Sequence, residues 1–287
     1  MTFFNNTDND KSYCLSYDND IFPLKYKIKL ITNAVINDNV CNEVETDIEW
    51  QINSWKSNEE GFVVQFDSNK HELVKCSPSF EDMKDMFLMF NYPLKNLSLQ
   101  LNRQGLPISV LNQEEIYRKW IELRVNKFQG FENNEDTKGV IIGGEIDFSK
   151  SLPVINSSLI YILFFSPVFG KREKTKSVIQ SIVQDSQFFP QNEIKINIYE
   201  SLTNISDSDI ELIHVANGEL QEYIKAEELY NASFRKITEK SFCYDYSMKA
   251  DYKINHNGIL THCFAIIKEQ ADESILSQQI FDINLIP

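Results

Sequence analysis

From Leu24 onward, apolar and polar residues alternate with a period of two. The runs Tyr26-Lys27-Ile28-Lys29-Leu30, Val44 to Ile52 and Phe62 to Phe66 are separated by Asn, Asp, Ser and Gly, which predicts a meander of long strands. At Ser79 the spacing changes to three and four, with Phe80, Met83, Met86, Phe87 and Phe90 forming the stripe of a core-facing helix. Two alternating runs then flank Gly105. If Gln104-Gly105 is a two-residue loop, Leu101 opposes Ile108 and Leu99 opposes Val110. Asn112 with Glu115 has capping-box spacing, and Ile116, Tyr117, Trp120, Ile121 and Phe128 continue as a helical face.

The middle of the chain has blocks rather than periods. The apolar block Leu159 to Phe165 and the stripe Val178, Ile179, Ile182, Val183 are read as helical. Ile194 to Tyr199 and Ile210 to Val215 predict strands, and Leu220, Tyr223, Ile224, Tyr230, Phe234 and Ile237 a helix. Alternation from Phe242 to Ile254 then predicts one long strand that turns at Asn255-His256-Asn257-Gly258 and returns through Leu260, His262, Phe264 and Ile266. A three-residue loop there places Tyr252 opposite His262 and matches apolar residues best; a two-residue loop opposes Tyr252 to Cys263. A last strand spans Leu276 to Ile286.

These elements predict an α+β fold in which long twisted antiparallel sheets pack on one face against helices. The segments Leu-x-Leu-Asn-x-x-Gly-Leu at 99–106 and Tyr-x-Ile-Asn-x-x-Gly-Ile at 252–259 match, each preceded by a helix and strands. A duplicated β-β-α-β-β unit is one explanation, and turn chemistry alone is the other. The expected organisation is a mobile polar arm over 1–20, a sheet-plus-helix unit over 21–130, a mainly helical segment over 131–190 and a second sheet-plus-helix unit over 191–287. The order of sheet over helices is loosely similar to lipoprotein-carrier half-barrels, with no residue motif carrying that likeness.

Charge narrows the partners. Asp and Glu number 42 against 28 Lys and Arg, a formal charge of -14. Such a chain repels phosphate polyanions, so nucleic-acid binding is disfavoured and a basic protein surface is the expected partner. The basic run Lys171, Arg172, Lys174 and Lys176 reads as a solvated loop. Five cysteines without a C-x-x-C pair, no signal-peptide pattern at Met1 to Asp8 and no apolar run beyond seven residues predict a cytoplasmic chain without a membrane span.

No familiar enzyme leaves its mark. There is no G-x-S-x-G, phosphate-binding glycine loop or H-E-x-x-H, and glycine is sparse, at nine in 287. Asp8-Asn9-Asp10 and Asp18-Asn19-Asp20 lack the Gly and Glu of a calcium loop. Ser233-Phe234-Arg235-Lys236 matches S-x-x-K at chance frequency, and His262 near Cys243 and Cys263 reads as a sheet residue. No catalytic residue, cofactor or metal is therefore expected. Tyr244, Tyr246 and Tyr252, aromatic bodies with polar tips on one strand face, are the candidate binding residues. The expected function is non-enzymatic protein binding, as an immunity-type inhibitor or as a chaperone or adaptor for a secreted protein. A carrier of a hydrophobic small ligand held between sheet and helices is the alternative, and a hydrolase is less favoured.

Overall fold

A computed structural model describes residues 12–15, 22–81, 84–173, 177–206 and 209–286. Strand β1 (Ser12–Leu15) precedes the meander β2 (Leu24–Ile36), β3 (Asn39–Ser57) and β4 (Gly61–Cys76). Short helices α1 (Pro78–Glu81) and α2 (Lys84–Met89) lead to the hairpin β5 (Asn96–Asn102) and β6 (Pro107–Val110). Helices α3 (Gln113–Lys127), α4 (Glu135–Ser149), α5 (Ser151–Ser157) and α6 (Leu159–Phe164) follow. The chain then returns to strands with β7 (Gly170–Glu173), β8 (Ser177–Asp185), β9 (Glu193–Ile205) and β10 (Asp209–Leu220). Helices α7 (Tyr223–Ser233) and α8 (Arg235–Thr238) precede β11 (Asp245–Asn255), β12 (Leu260–Asp272) and β13 (Ile275–Ile286).

Eleven strands form one antiparallel sheet in the order β6-β5-β4-β3-β2-β13-β12-β11-β10-β9-β8, and β1 pairs separately with β7. The first long strand meets the last at the centre, with Ile28 opposite Ile283, so both halves of the chain share one sheet. The chain winds from the centre to one edge, crosses through the helices, and re-enters at the opposite edge. The order strands, helix, hairpin recurs in the two halves. Helix α5 contacts both edge strands, β6 and β8, so the seam of the curled sheet is filled by a helix where strand pairing stops. Register shifts at Glu45/Thr46, Glu49/Trp50 and Ile52/Ser54 place three irregularities in the β3–β4 pair, where extra residues bend the strands.

Alternation decides which side is buried. Tyr26 and Ile28, Ile48, Trp50 and Ile52, and Ile194, Ile196 and Ile198 point into the core with Ile162, Leu163 and Phe165 of the helical layer. The other face carries paired charges, including Lys29–Glu45 at 2.6 Å and Lys27–Asp47 at 3.7 Å. The block Leu159 to Phe165, whose apolar run fits a buried helix or a buried strand equally, forms α6 and its cap.

Several expectations are corrected. The stripe from Val178 to Val183 is edge strand β8, with Val178 and Val183 exposed, so the segment 131–190 is helical only in its first part. Residues 12–15 of the expected arm form β1, while 1–11 and 16–20 lie outside the described residues. The helix foreseen from Ser79 is two short pieces on which Phe87 is exposed; the side chains of Phe80 and Met83 lie outside the described residues, as do Lys174 and Lys176 of the basic run. Asn112 precedes α3 but makes no side-chain cap: its amide bonds the backbone of Ser98 at 2.9 Å and of Asn96 at 2.9 Å, fastening the helix to β5.

In the first hairpin, Leu99 faces Val110, while Leu101 faces Pro107 across a register shift, and not Ile108. In the second, Tyr252 faces Cys263 and Met248 faces Ile267, so the three-residue-loop register does not extend beyond the residues next to the turn. The loop itself is the three-residue one, 256–258 ending at Gly258: Asn255 N–H bonds the Ile259 carbonyl at 2.9 Å and Ile254 faces Leu260, and the shift between Lys253 and Ile254 then moves the rest of the pair to the other register. Gly258, at φ 77°, and Gly105, at φ 101°, supply the left-handed backbone these two turns require.

Candidate functional site

The concave face of the sheet is plugged by α5, α6 and the segment 165–169 over much of its length, but one end is left open. There a cleft of about 510 Å³ lies between the sheet and the α5–α6 connection. Its floor is Leu30, Ile48, Trp50 and Phe281 from the three strands β2, β3 and β13, and its wall is Leu159, Ile160 and Tyr161. Trp50 stacks on Tyr161 with centroids 5.3 Å apart and planes 18° from parallel, joining floor to wall. Ser68, His71, Asn91, Ser157, Gln184 and Gln279 supply polar atoms at its margin. Burial lowers the His71 pKa, which favours the neutral imidazole.

The cleft narrows into a recess sharing Leu159, Gln184, Asp185, Gln187 and Gln279 and ending on Tyr246, Ile267 and Glu269. Glu269 is buried on the inner face of β12. It accepts hydrogen bonds from Ser186 Oγ at 2.5 Å and the Gln187 N–H at 2.9 Å, and burial raises its pKa above the ordinary carboxylate range. Asp185 is exposed at the rim. Among the described residues, neither lysine nor arginine lines cleft or recess.

A second, water-sized cavity of about 30 Å³ sits beside the two glycine turns, lined by Gly105, Gly258, Trp55, Phe169, Ser166 and Tyr252 among others. Beneath it runs a buried chain of polar groups. Ser166 Oγ lies 3.1 Å from His214 Nδ1, and His214 Nε2 lies 3.1 Å from Glu200 Oε2. His214 packs on Tyr252 with ring centroids 4.5 Å apart. The order hydroxyl, imidazole, carboxylate is that of a nucleophile-activating triad. Beside a cavity of about 30 Å³, these hydrogen bonds tether the 165–169 segment to β9 and β10.

The structure separates the three tyrosines predicted from sequence. Tyr246, 3% exposed, bounds the recess, while Tyr252, 4% exposed, belongs to the small cavity. Tyr244 is half-buried against Phe189 and Phe242. The buried pair offers no area to an external protein surface, which departs from a docking role for this strand face. Trp50, Tyr161, Phe281 and Glu269 are the site residues that the strand pattern did not single out. The signal for Glu269 was a carboxylate on the buried phase of an alternating strand; His214 and Glu200 break the apolar phase of β10 and β9 in the same way. Among the described residues, no group of three or more His, Cys, Asp or Glu side chains gathers as a metal site. Nor is any described helix long and apolar enough to cross a membrane.

No family model matches the chain, and no curated protein matches it. A solved structure concerned with lipid–protein interactions in lipovitellin is similar at a TM-score of 0.47 and 8% identity, over 92% of this chain. The chain spans 25% of that lipovitellin chain. A likeness of that degree bears on neither fold nor function.

Proposed function

We propose that this chain binds a small amphiphilic ligand in the cleft between the sheet and α5–α6, without chemical conversion of it. The observation that carries this is the cleft itself: about 510 Å³ of open space walled by Trp50, Tyr161, Phe281, Leu159 and Ile160. Small-ligand sites are typically concave, mostly apolar and roughly 300–1,000 Å³, with a few polar groups that fix orientation. Ser157, Gln184 and Gln279 fill that orienting role at the margin. Native mass spectrometry of the protein from its host tests the reading. A retained small molecule lost on Leu159→Trp supports it, and a ligand-free spectrum with no uptake of added amphiphiles contradicts it.

A second reading, an acidic inhibitor, chaperone or adaptor that docks on a basic protein, is favoured by the net charge of -14. Electrostatic steering makes such association fall steeply with salt, and a rate independent of ionic strength would exclude it. Free Cys41, Cys76, Cys243 and Cys263 support a reducing, cytoplasmic setting for either role.

A further inference from the structure

The polar groups of the cleft set a charge preference, and this inference rests on the ligand-binding reading above. Asp185 stands at the rim and Glu269 ends the recess, while among the described residues no lysine or arginine lines either part. The one basic side chain among the lining residues, His71, is held toward its neutral form. The stacked pair Trp50 and Tyr161 adds aromatic rings, whose faces attract cations. A carboxylate or phosphate headgroup entering here meets the exposed Asp185 carboxylate, no lysine or arginine among the described lining residues, and the field of a chain carrying fourteen excess negative charges. An ammonium headgroup meets complementary charge at the rim and aromatic rings on the floor.

We infer that the cleft selects amphiphiles with an amine headgroup and discriminates against fatty acids and anionic phospholipids of the same chain length. Selection of this kind is as much repulsion of the wrong headgroup as attraction of the right one.

The test is a titration of the full chain with dodecylamine, dodecanol and sodium dodecanoate, each below its micelle concentration, followed by tryptophan fluorescence. The expected order of affinity is amine, then alcohol, then carboxylate, with at least about a tenfold gap between the first and last, equivalent to ~1.4 kcal/mol. Asp185→Asn narrows that gap, and Gln279→Lys, on the shared boundary of cleft and recess, reverses the order of amine and carboxylate. Circular dichroism and the melting temperature of both variants establish that they fold. Dodecanoate binding as tightly as dodecylamine, with dodecanol also bound, overturns the charge preference and leaves the binding reading standing. Binding of none of the three overturns the binding reading and the preference with it.

Discussion

Trp50 on β3 and Tyr161 on α6 stack at 5.3 Å, and this contact couples the floor of the cleft to its helical wall. Trp50 also meets Phe164 at 5.2 Å and Phe66 at 5.0 Å, so its indole is a hub of the core as well as a cleft residue. Trp50→Ala therefore loses stability, by about 3–5 kcal/mol as for other buried aromatic deletions. Denaturant unfolding of that variant checks the value, and a loss below ~1 kcal/mol would mean that the stack is not formed.

The tether of the 165–169 segment makes a different prediction. Ser166→Ala removes one hydrogen bond of the tether, whereas His214→Ala removes both of them together with the packing of the imidazole on Tyr252. Each buried hydrogen bond lost with its partner left in place costs about 1–3 kcal/mol, so the loss of two exceeds the loss of one by a similar amount. Chemical denaturation should rank His214→Ala well below Ser166→Ala. A fluorophosphonate probe should leave Ser166 unlabelled in the native chain; rapid labelling would make the triad order catalytic.

Glu269 gives a pH dependence. Burial raises its folded pKa, so the folded state holds the proton more tightly than the unfolded chain. Its contribution to stability is then fullest below the unfolded carboxylate pKa of about 4.3 and declines as pH rises through the higher folded value. Glu269→Gln removes that decline. The stability difference between variant and parent, from urea unfolding at pH 4 to pH 8, should shift in the variant's favour as pH rises. A difference constant over that range would show that the carboxylate is not desolvated.

Asn102 and Asn255 close their hairpins alike. Each Oδ1 accepts backbone N–H groups two and four residues ahead: Gln104 at 2.9 Å and Leu106 at 3.0 Å in one, Asn257 at 3.0 Å and Ile259 at 3.0 Å in the other. Replacing either by alanine should cost a similar amount, about 1–3 kcal/mol, because two donors lose one acceptor. Denaturation of the two variants in parallel checks this, and losses differing by more than ~2 kcal/mol would show that the turns are not equivalent.

The strands were legible because their alternation is a local property. Tyr26 to Leu30 and Tyr246 to Ile254 each announce one buried face. Edge strand β8 was not, since Val178, Ile179, Ile182 and Val183 have the spacing of a helical stripe, whereas in the strand Ile182 is buried and Val178 and Val183 are exposed. The second hairpin was misread because a bulge, which alternation cannot reveal in advance, corrects the register that its loop imposes. The cleft was illegible for a different reason: Trp50, Tyr161 and Phe281 meet only through the curl of the sheet and the placement of α6 against it. Their residue types carry no motif, since the space they enclose is a property of shape.

The central claim is that the open end of the concave face holds a ligand, and filling that space tests it most directly. Leu159→Trp places an indole where cleft and recess meet. Dodecylamine titrated against parent and variant of equal melting temperature should change the intrinsic tryptophan fluorescence of the parent saturably and weaken at least tenfold in the variant. Equal affinity in the two proteins, or no saturable change in the parent, would contradict the account.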